Sequence, residues 1–256
     1  MILVRTCSGL CNRLRTMASG LRLAREFNKK CHVFWRLDRE MNARFTDLFE
    51  LPHDLIVHES EPESLLSRLL FNPKNHIATM PESRDKYVER ALRSKGCGWL
   101  AHTDFTDFYP SHDFSWLCPK TKILACIENE RQALGEHLIG LHIRRTDNAM
   151  SIQYSPLSLF EAQIESNLRR NPDQRFFLAS DDALTKRHLK EKYGDCILTR
   201  PHVAARNEAN GVLDAVIDLF LLSFCEKIYG SYYSSFTQTA AFLGNIPFEQ
   251  LTIKGV

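Results

Sequence analysis

A chain of 256 residues, 44% hydrophobic and 25% charged, is long enough to bury a substantial core, in one large domain or two small ones. Its net charge of +2 is too small for bulk electrostatic capture of nucleic acid or an anionic membrane, so any anion recognition has to be local. No apolar run approaches the ~20 residues that a bilayer span needs, and the opening Met1-Ile2-Leu3-Val4-Arg5 is too short for a signal-peptide core, so cytoplasmic residence is the expectation.

The first half reads as alternating strands and helices. Met1 to Val4 forms a strand, followed by a tight turn over Ser8-Gly9-Leu10-Cys11-Asn12-Arg13 and a helix from about Leu14 to Phe27. Cys31 to Trp35 is a second strand, and Leu55-Ile56-Val57 and Trp99-Leu100-Ala101 supply two more. The stretch 60–96, rich in proline, serine and charge, gives no element. Pro110 and Pro119 bracket a border, and a helix from about Lys120 to Leu134 joins the halves, dividing the chain into 1–118 and 119–256.

The second half has stronger punctuation. Leu138 to Ile143 is a continuous apolar run, as expected of a strand buried on both faces. Ser155-Pro156 opens a helix to about Arg170, with serine as N-cap and proline in the first turn. Arg175 to Ala179 is the next strand, and a charged amphipathic helix then ends at Gly194. Cys196 to Thr199 is a third strand, a polar loop spans 200–211, and a helix runs from about Val212 to Phe224. Lys227 to Gly230 is a fourth strand, and Ser234 or Ser235 caps a helix ending near Gly244. This alternation predicts α/β architecture: two Rossmann-like domains with parallel sheets facing a cleft.

Polar groups gather at the carboxyl ends of predicted strands, where open α/β sheets bind ligands. The 138–143 strand ends in Arg144, Arg145, Thr146 and Asp147; two forked guanidiniums suit a phosphate or diphosphate, or else form a basic edge loop paired with acids elsewhere. Ser234, Ser235 and Thr237 open a helix, serving either as caps or as phosphate donors beside free backbone N–H groups. Asp181 and Asp182 divide between capping and ligand contact, and Gly9 with Asn12 marks a turn where a ligand could approach the backbone. His142, inside the apolar strand, is equally a satisfied core histidine or a ligand contact. No metal site is expected: His102, Asp104 and Asp107 fit no template, and the cysteines at 7, 11, 31, 97, 118, 126, 196 and 225 include no C-x-x-C pair. Several of these cysteines, Cys196 and Cys225 among them, read as small buried hydrophobes.

His142-Ile143-Arg144-Arg145-Thr146-Asp147 resembles the H-x-R-R-x-D signature of the GDP-fucose-dependent fucosyltransferases, which include α1,6-fucosyltransferases, nodulation fucosyltransferases and, more distantly, protein O-fucosyltransferases. Ser180-Asp181-Asp182 is similar to that family's second motif. Asp218 to Ser223, with Ile228 to Ser231 and Ser234-Ser235-Phe236, is similar to the third, and Gly9 to Leu14 resembles its N-terminal loop.

The resemblance implies a GT-B-like fold, with an acceptor-side domain 1–118 and a nucleotide-sugar domain 119–256. It also implies inverting transfer of fucose from GDP-fucose to a glycan acceptor, without metal or other cofactor. Arg145 would grip the diphosphate, supported by Arg144. His142 and Asp218 would read guanine, Asp182 and Ser180 would lie on the nucleotide side, and Ser234 and Ser235 would hold phosphate oxygens. Gly9, Asn12 and Arg13 would approach the sugar or acceptor. Relatives often carry a glutamate beyond the arginine motif, whereas 148–153 here holds no carboxylate, so a base would come from Asp147, from the first domain, or be absent.

A chain this short lacks the extra modules of the large animal enzymes, so a soluble or lipid-linked glycan is the expected acceptor, contacted mainly from 36–115. Another nucleotide-deoxyhexose, such as a rhamnosyl donor, a hydrolase, or a non-catalytic binding module are the alternatives.

Overall fold

The computed structural model describes residues 1–60, 76–77, 100–104, 108–201 and 208–253. Most of 60–96, Cys97, Trp99, Asp107 and much of the 200–211 loop lie outside them. The chain forms two compact units, Met1–Lys120 with Arg206–Val212, and Thr121–Ala205 with Leu213–Val256.

In the first unit β1 (Ile2–Thr6), β2 (Cys31–Arg36), β3 (Leu55–Ser60), β4 (His76–Ile77) and β5 (Leu100–Asp104) form a sheet in the order β3-β2-β1-β5-β4. Every pairing is parallel. The helix Leu10–Glu26 lies against it through Gly20, where a Cβ would come within 2.5 Å of Val4 Cγ2. Only glycine permits that approach. This helix starts four residues earlier than Leu14. Gly9 is its N-cap in an extended conformation (φ −77°), and the left-handed residue of the turn is Ser8 (φ 67°), not the glycine.

In the second unit β6 (Leu138–Ile143), β7 (Arg175–Ser180), β8 (Ile197–Leu198), β9 (Lys227–Ser231) and β10 (Phe248–Leu251) form a parallel sheet in the order β10-β9-β6-β7-β8. All six residues of β6 are buried, as its uniform apolarity predicted. Leu141, Ile143, Phe176 and Leu178 pack with Phe160 and Ile164 of the helix Leu157–Arg170 and with Leu189 of the helix Ala183–Tyr193. Gly140 admits the helix Ala209–Ser223, since a Cβ there would lie 2.9 Å from Leu222 Cδ2.

Several expectations shift. Ser155 caps no helix: Pro156 is the N-cap of Leu157–Arg170, and the Ser155 hydroxyl bonds Leu251 O instead. An unexpected short helix, Ala149–Tyr154, precedes it, capped by Asn148 accepting from Ser151 N at 3.0 Å. The helix placed from Val212 starts at Ala209, so Asn210 and Gly211 lie in its first turn rather than in the loop. A 3-10 turn, Gly194–Cys196, shortens β8 and leaves Cys196 half-buried. Cys225 is buried as expected, Cys11 and Cys31 are buried too, and Cys118 and Cys126 are exposed. β10 went unread because Glu249 and Gln250 break any apolar run; as an edge strand, it is held by backbone pairing to β9.

The strand order reverses at β6. From β6 the chain steps outward through β7 and β8, then returns to the other side of β6 with β9. In open parallel sheets the carboxyl ends of the two strands flanking such a reversal, here β6 and β9, are where ligands bind.

Candidate functional site

The arginine turn after β6 is stitched to both neighbouring strands. On one side Arg144 N donates to Ser231 Oγ, at the end of β9, at 3.0 Å. On the other, Asp181 beyond β7 accepts from Arg145 N at 2.7 Å and from Thr146 Oγ1 at 2.7 Å. One carboxylate therefore fixes two successive residues of the turn.

The two arginines differ in what compensates them. Arg144 Nε donates to Asp147 Oδ1 at 2.7 Å, so that pair is locally neutral. Arg145 is half-buried, and its Nη1 and Nη2 donate to the carbonyls of Arg144 (3.0 Å) and Ser155 (2.7 Å). Its Cζ lies 5.9 Å from the centre of the Phe160 ring. Carbonyls orient a guanidinium without neutralising it, and no carboxylate among the described residues lies within ion-pair distance. Burial pulls its pKa down, against the field of Asp181 and Asp182. A fixed, partly desolvated cation of this kind favours an anionic ligand.

Across the switch point lies a second cluster. His142, 8% exposed, has Nδ1 2.9 Å from Thr237 Oγ1 and 3.5 Å from Ser234 Oγ, and its ring stacks on Phe236 at 4.7 Å. Thr237 comes this close because residue 230 is glycine: a Cβ there would lie 2.1 Å from Thr237 Oγ1. Ser234 is the N-cap residue of the ten-residue helix Ser235–Gly244, yet its hydroxyl makes no cap bond and turns towards His142. Of the two roles open to Ser234 in the sequence, capping is the one it does not take. The half-buried Ser235 begins the helix.

The acidic pair divides its work. Asp182 caps the helix Ala183–Tyr193, accepting from Leu184 N (3.2 Å), Thr185 N (2.9 Å) and Thr185 Oγ1 (2.6 Å). Burial pushes its pKa up, but the Thr185 and Leu184 donors and Arg145 outweigh that and hold it below the ordinary value. Ser180, buried at the end of β7, accepts from Asp182 N at 3.2 Å.

Asp218 is 3% exposed and pairs with Arg200 rather than standing free. Burial pushes its pKa up to about 6, moderated by Lys186 and Arg200. In the first unit Arg13, expected to approach the sugar or acceptor, is committed to intrachain partners. It is fully buried, donates to both oxygens of Asp38 (3.0 and 2.9 Å), to Ser8 O and to Arg36 O, and lies over the Trp35 ring. It rivets the Ser8 turn to the end of β2 and to Asp38. Asn12, half-buried, donates to Ser8 Oγ at 3.1 Å and so braces the same turn.

Sequence reasoning passed over Phe160 and Arg200; it named Ser155 as a cap and Thr237 as a hydroxyl donor, but not as partners of Arg145 and His142. Ser231 lies in the third motif block, but its bond to Arg144 N has no signal in the sequence. The Ser155 carbonyl and Arg200 carry no local signal. Among the described residues no group of three or more His, Cys, Asp or Glu could hold a metal ion.

No family model and no curated protein matches the chain. Solved structures do. The chain is similar to NodZ alpha-1,6-fucosyltransferase soaked with GDP-fucose (TM-score 0.63, 20% identity, 94% of this chain and 92% of that one). It is similar to a mutant of Arabidopsis thaliana FUT1 in complex with GDP (TM-score 0.64, 16% identity, 96% and 69%). It is also similar to POFUT1 in complex with GDP-fucose (TM-score 0.60, 9% identity, 99% and 98%). At these identities the likeness establishes a shared α/β fold with Rossmann-like parallel sheets.

Proposed function

We propose that this chain is a glycosyltransferase that moves a fucosyl group from GDP-fucose to a glycan acceptor, with inversion and without a metal. The observation that carries the reading is the Arg145 guanidinium, aligned by two neutral carbonyls at the point where the strand order reverses. The fold likeness to proteins solved with GDP or GDP-fucose supports the same donor.

In this reading the diphosphate lies against Arg145, with further donors from the Ser234 and Ser235 hydroxyls and the amide end of the helix Ser235–Gly244. As the glycosidic C–O bond breaks, negative charge grows on the leaving phosphate. A cation fixed before the reaction stabilises that charge without reorganising, usually the largest single contribution to such a step. Asp147 is ion-paired with Arg144, and no carboxylate follows in 148–153, so the residues present favour a dissociative route driven by the leaving group. Asp218 accepts from the guanine N1–H and 2-amino groups, kept ionised by Arg200, and His142 contacts the base with its ring set by Thr237.

A thermal-shift panel of GDP, UDP, CDP and their sugars tests the donor directly, because a ligand of the native state stabilises it by RT ln(1 + [L]/Kd). GDP and GDP-fucose should give the largest shifts. Equal shifts with UDP would remove the guanine assignment, and no shift with any diphosphate would remove the site.

A further inference from the structure

Tyr233 occupies a position that neither backbone conformation nor burial rewards. It lies in the loop from β9 to the helix Ser235–Gly244 with φ at 55°, a left-handed conformation suited to glycine or asparagine and rare for a bulky aromatic. The residue is 65% exposed, so its ring recovers little hydrophobic stabilisation in return. A conformation of this kind persists only where the surroundings impose it.

Here they do. Ser151 Oγ donates to Tyr232 O at 2.6 Å, Asn148 Nδ2 to Tyr233 O at 3.4 Å, and Tyr232 N to Ser155 Oγ at 2.7 Å. The Tyr232 ring meets Tyr154 edge-on at 5.4 Å and lies 6.0 Å from that of Tyr233. The loop is thus clamped to the segment that follows the arginine turn, with Ser231 on one side bonded to Arg144 N and Ser234 on the other, 1% exposed beside His142. The clamp holds an aromatic ring out to solvent two residues beyond Ser231, which bonds the arginine turn, and next to Ser234.

Folding alone would select asparagine or glycine here, so the ring points to a ligand. An aromatic face beside a diphosphate site has a natural partner in a pyranose, whose ring presents a face of C–H groups while its hydroxyls stay hydrated at the rim. Resting on the glycosyl-transfer reading above, we propose that Tyr233 is a stacking platform for a pyranose ring, either the sugar linked to the diphosphate or the sugar that accepts it.

Tyr233→Asn removes the ring while keeping a residue at ease in this backbone, and Tyr233→Phe keeps the face but loses the hydroxyl. Calorimetry with GDP and GDP-fucose forms the donor arm. Saturation-transfer NMR with methyl glucoside, methyl galactoside and their N-acetylamino counterparts, at saturating GDP, forms the acceptor arm. Tyr233→Asn should weaken one arm roughly tenfold, the scale of a lost aromatic contact, with GDP affinity and melting temperature no lower than in the parent and Tyr233→Phe near normal. Loss of GDP-fucose affinity alone identifies the donor sugar, and loss of glycoside signal alone the acceptor. The proposal is overturned if both arms are unchanged, or if the Asn variant melts early, which would make the ring structural. Failure of the parent to bind either GDP or GDP-fucose would instead overturn the glycosyl-transfer reading itself.

Discussion

Arg200 Nη1 donates to Asp218 Oδ1 at 3.2 Å with both side chains 5% exposed, and Arg200 Nη2 reaches Asp214 at 2.8 Å. Lys186, also buried, donates to the Arg200 carbonyl at 3.2 Å. Removing one partner of such a pair strands the other. Arg200→Met should therefore lower stability by about 3–5 kcal/mol, and adding Asp218→Asn to it should recover much of the loss. Urea unfolding of the two single variants and the double variant measures the coupling.

The same pair gives a pH dependence. Burial raises the folded pKa of Asp218 to about 6, above the 3.8 of the free side chain. Between these values the folded state holds the proton that the unfolded state has released, so stability from this group is largest in acid and falls as pH rises towards 6. The parent should thus gain on Asp218→Asn as pH drops from 6 to 4. GDP affinity should move the opposite way, rising through pH 6 in the parent but not in the variant. A flat difference in both would reject the role given to Asp218.

Arg145→Ala should leave the fold intact, because it gives up only two bonds to neutral carbonyls, while transfer falls by about 2.7–4 kcal/mol, or some hundred- to thousandfold in kcat. Arg145→Lys should recover little, since an ammonium cannot bond both carbonyls and still present a planar fork to phosphate. Near-normal turnover in either variant rejects the site.

Asp181 holds the arginine turn. Losing its bonds to Arg145 N and Thr146 Oγ1 should release the arginine turn, so Asp181→Ala weakens GDP binding by about 1–3 kcal/mol with a smaller change in melting temperature. Binding titrations beside melts on the same samples separate the two effects.

Gly230→Ala drives a Cβ into Thr237, with an expected loss of about 1–3 kcal/mol from overpacking. Thr237→Ala should relieve only part of this, because the Thr237 Cβ itself lies 2.7 Å from the added atom. Full rescue would show that the hydroxyl and methyl alone set the conflict.

Local signals reached far into this molecule. Apolar runs closed by glycine, proline or a polar cap determined most of the strand–helix alternation, and the change from Ile143 to Arg144 marked the end of the central strand, because both depend on neighbours within one turn of chain. The short helix after Asn148 and the edge strand β10 escaped because each is held by a distant partner, the helix by the bond from Ser151 to Tyr232 O and β10 by its pairing with β9. The left-handed Ser8, by contrast, is braced locally by Asn12 and Arg13. The division of labour among the charges was decided in three dimensions. Arg13 and Arg145 look alike in sequence, yet the first is consumed by Asp38, 25 residues away, while the second is held by carbonyls that leave its charge uncompensated. Asp218 found Arg200 18 residues upstream, and His142 found Thr237 across 95 residues. Periodicity reports which side of an element is buried. Which charge neutralises which depends on where separate elements meet, and only the folded chain sets that.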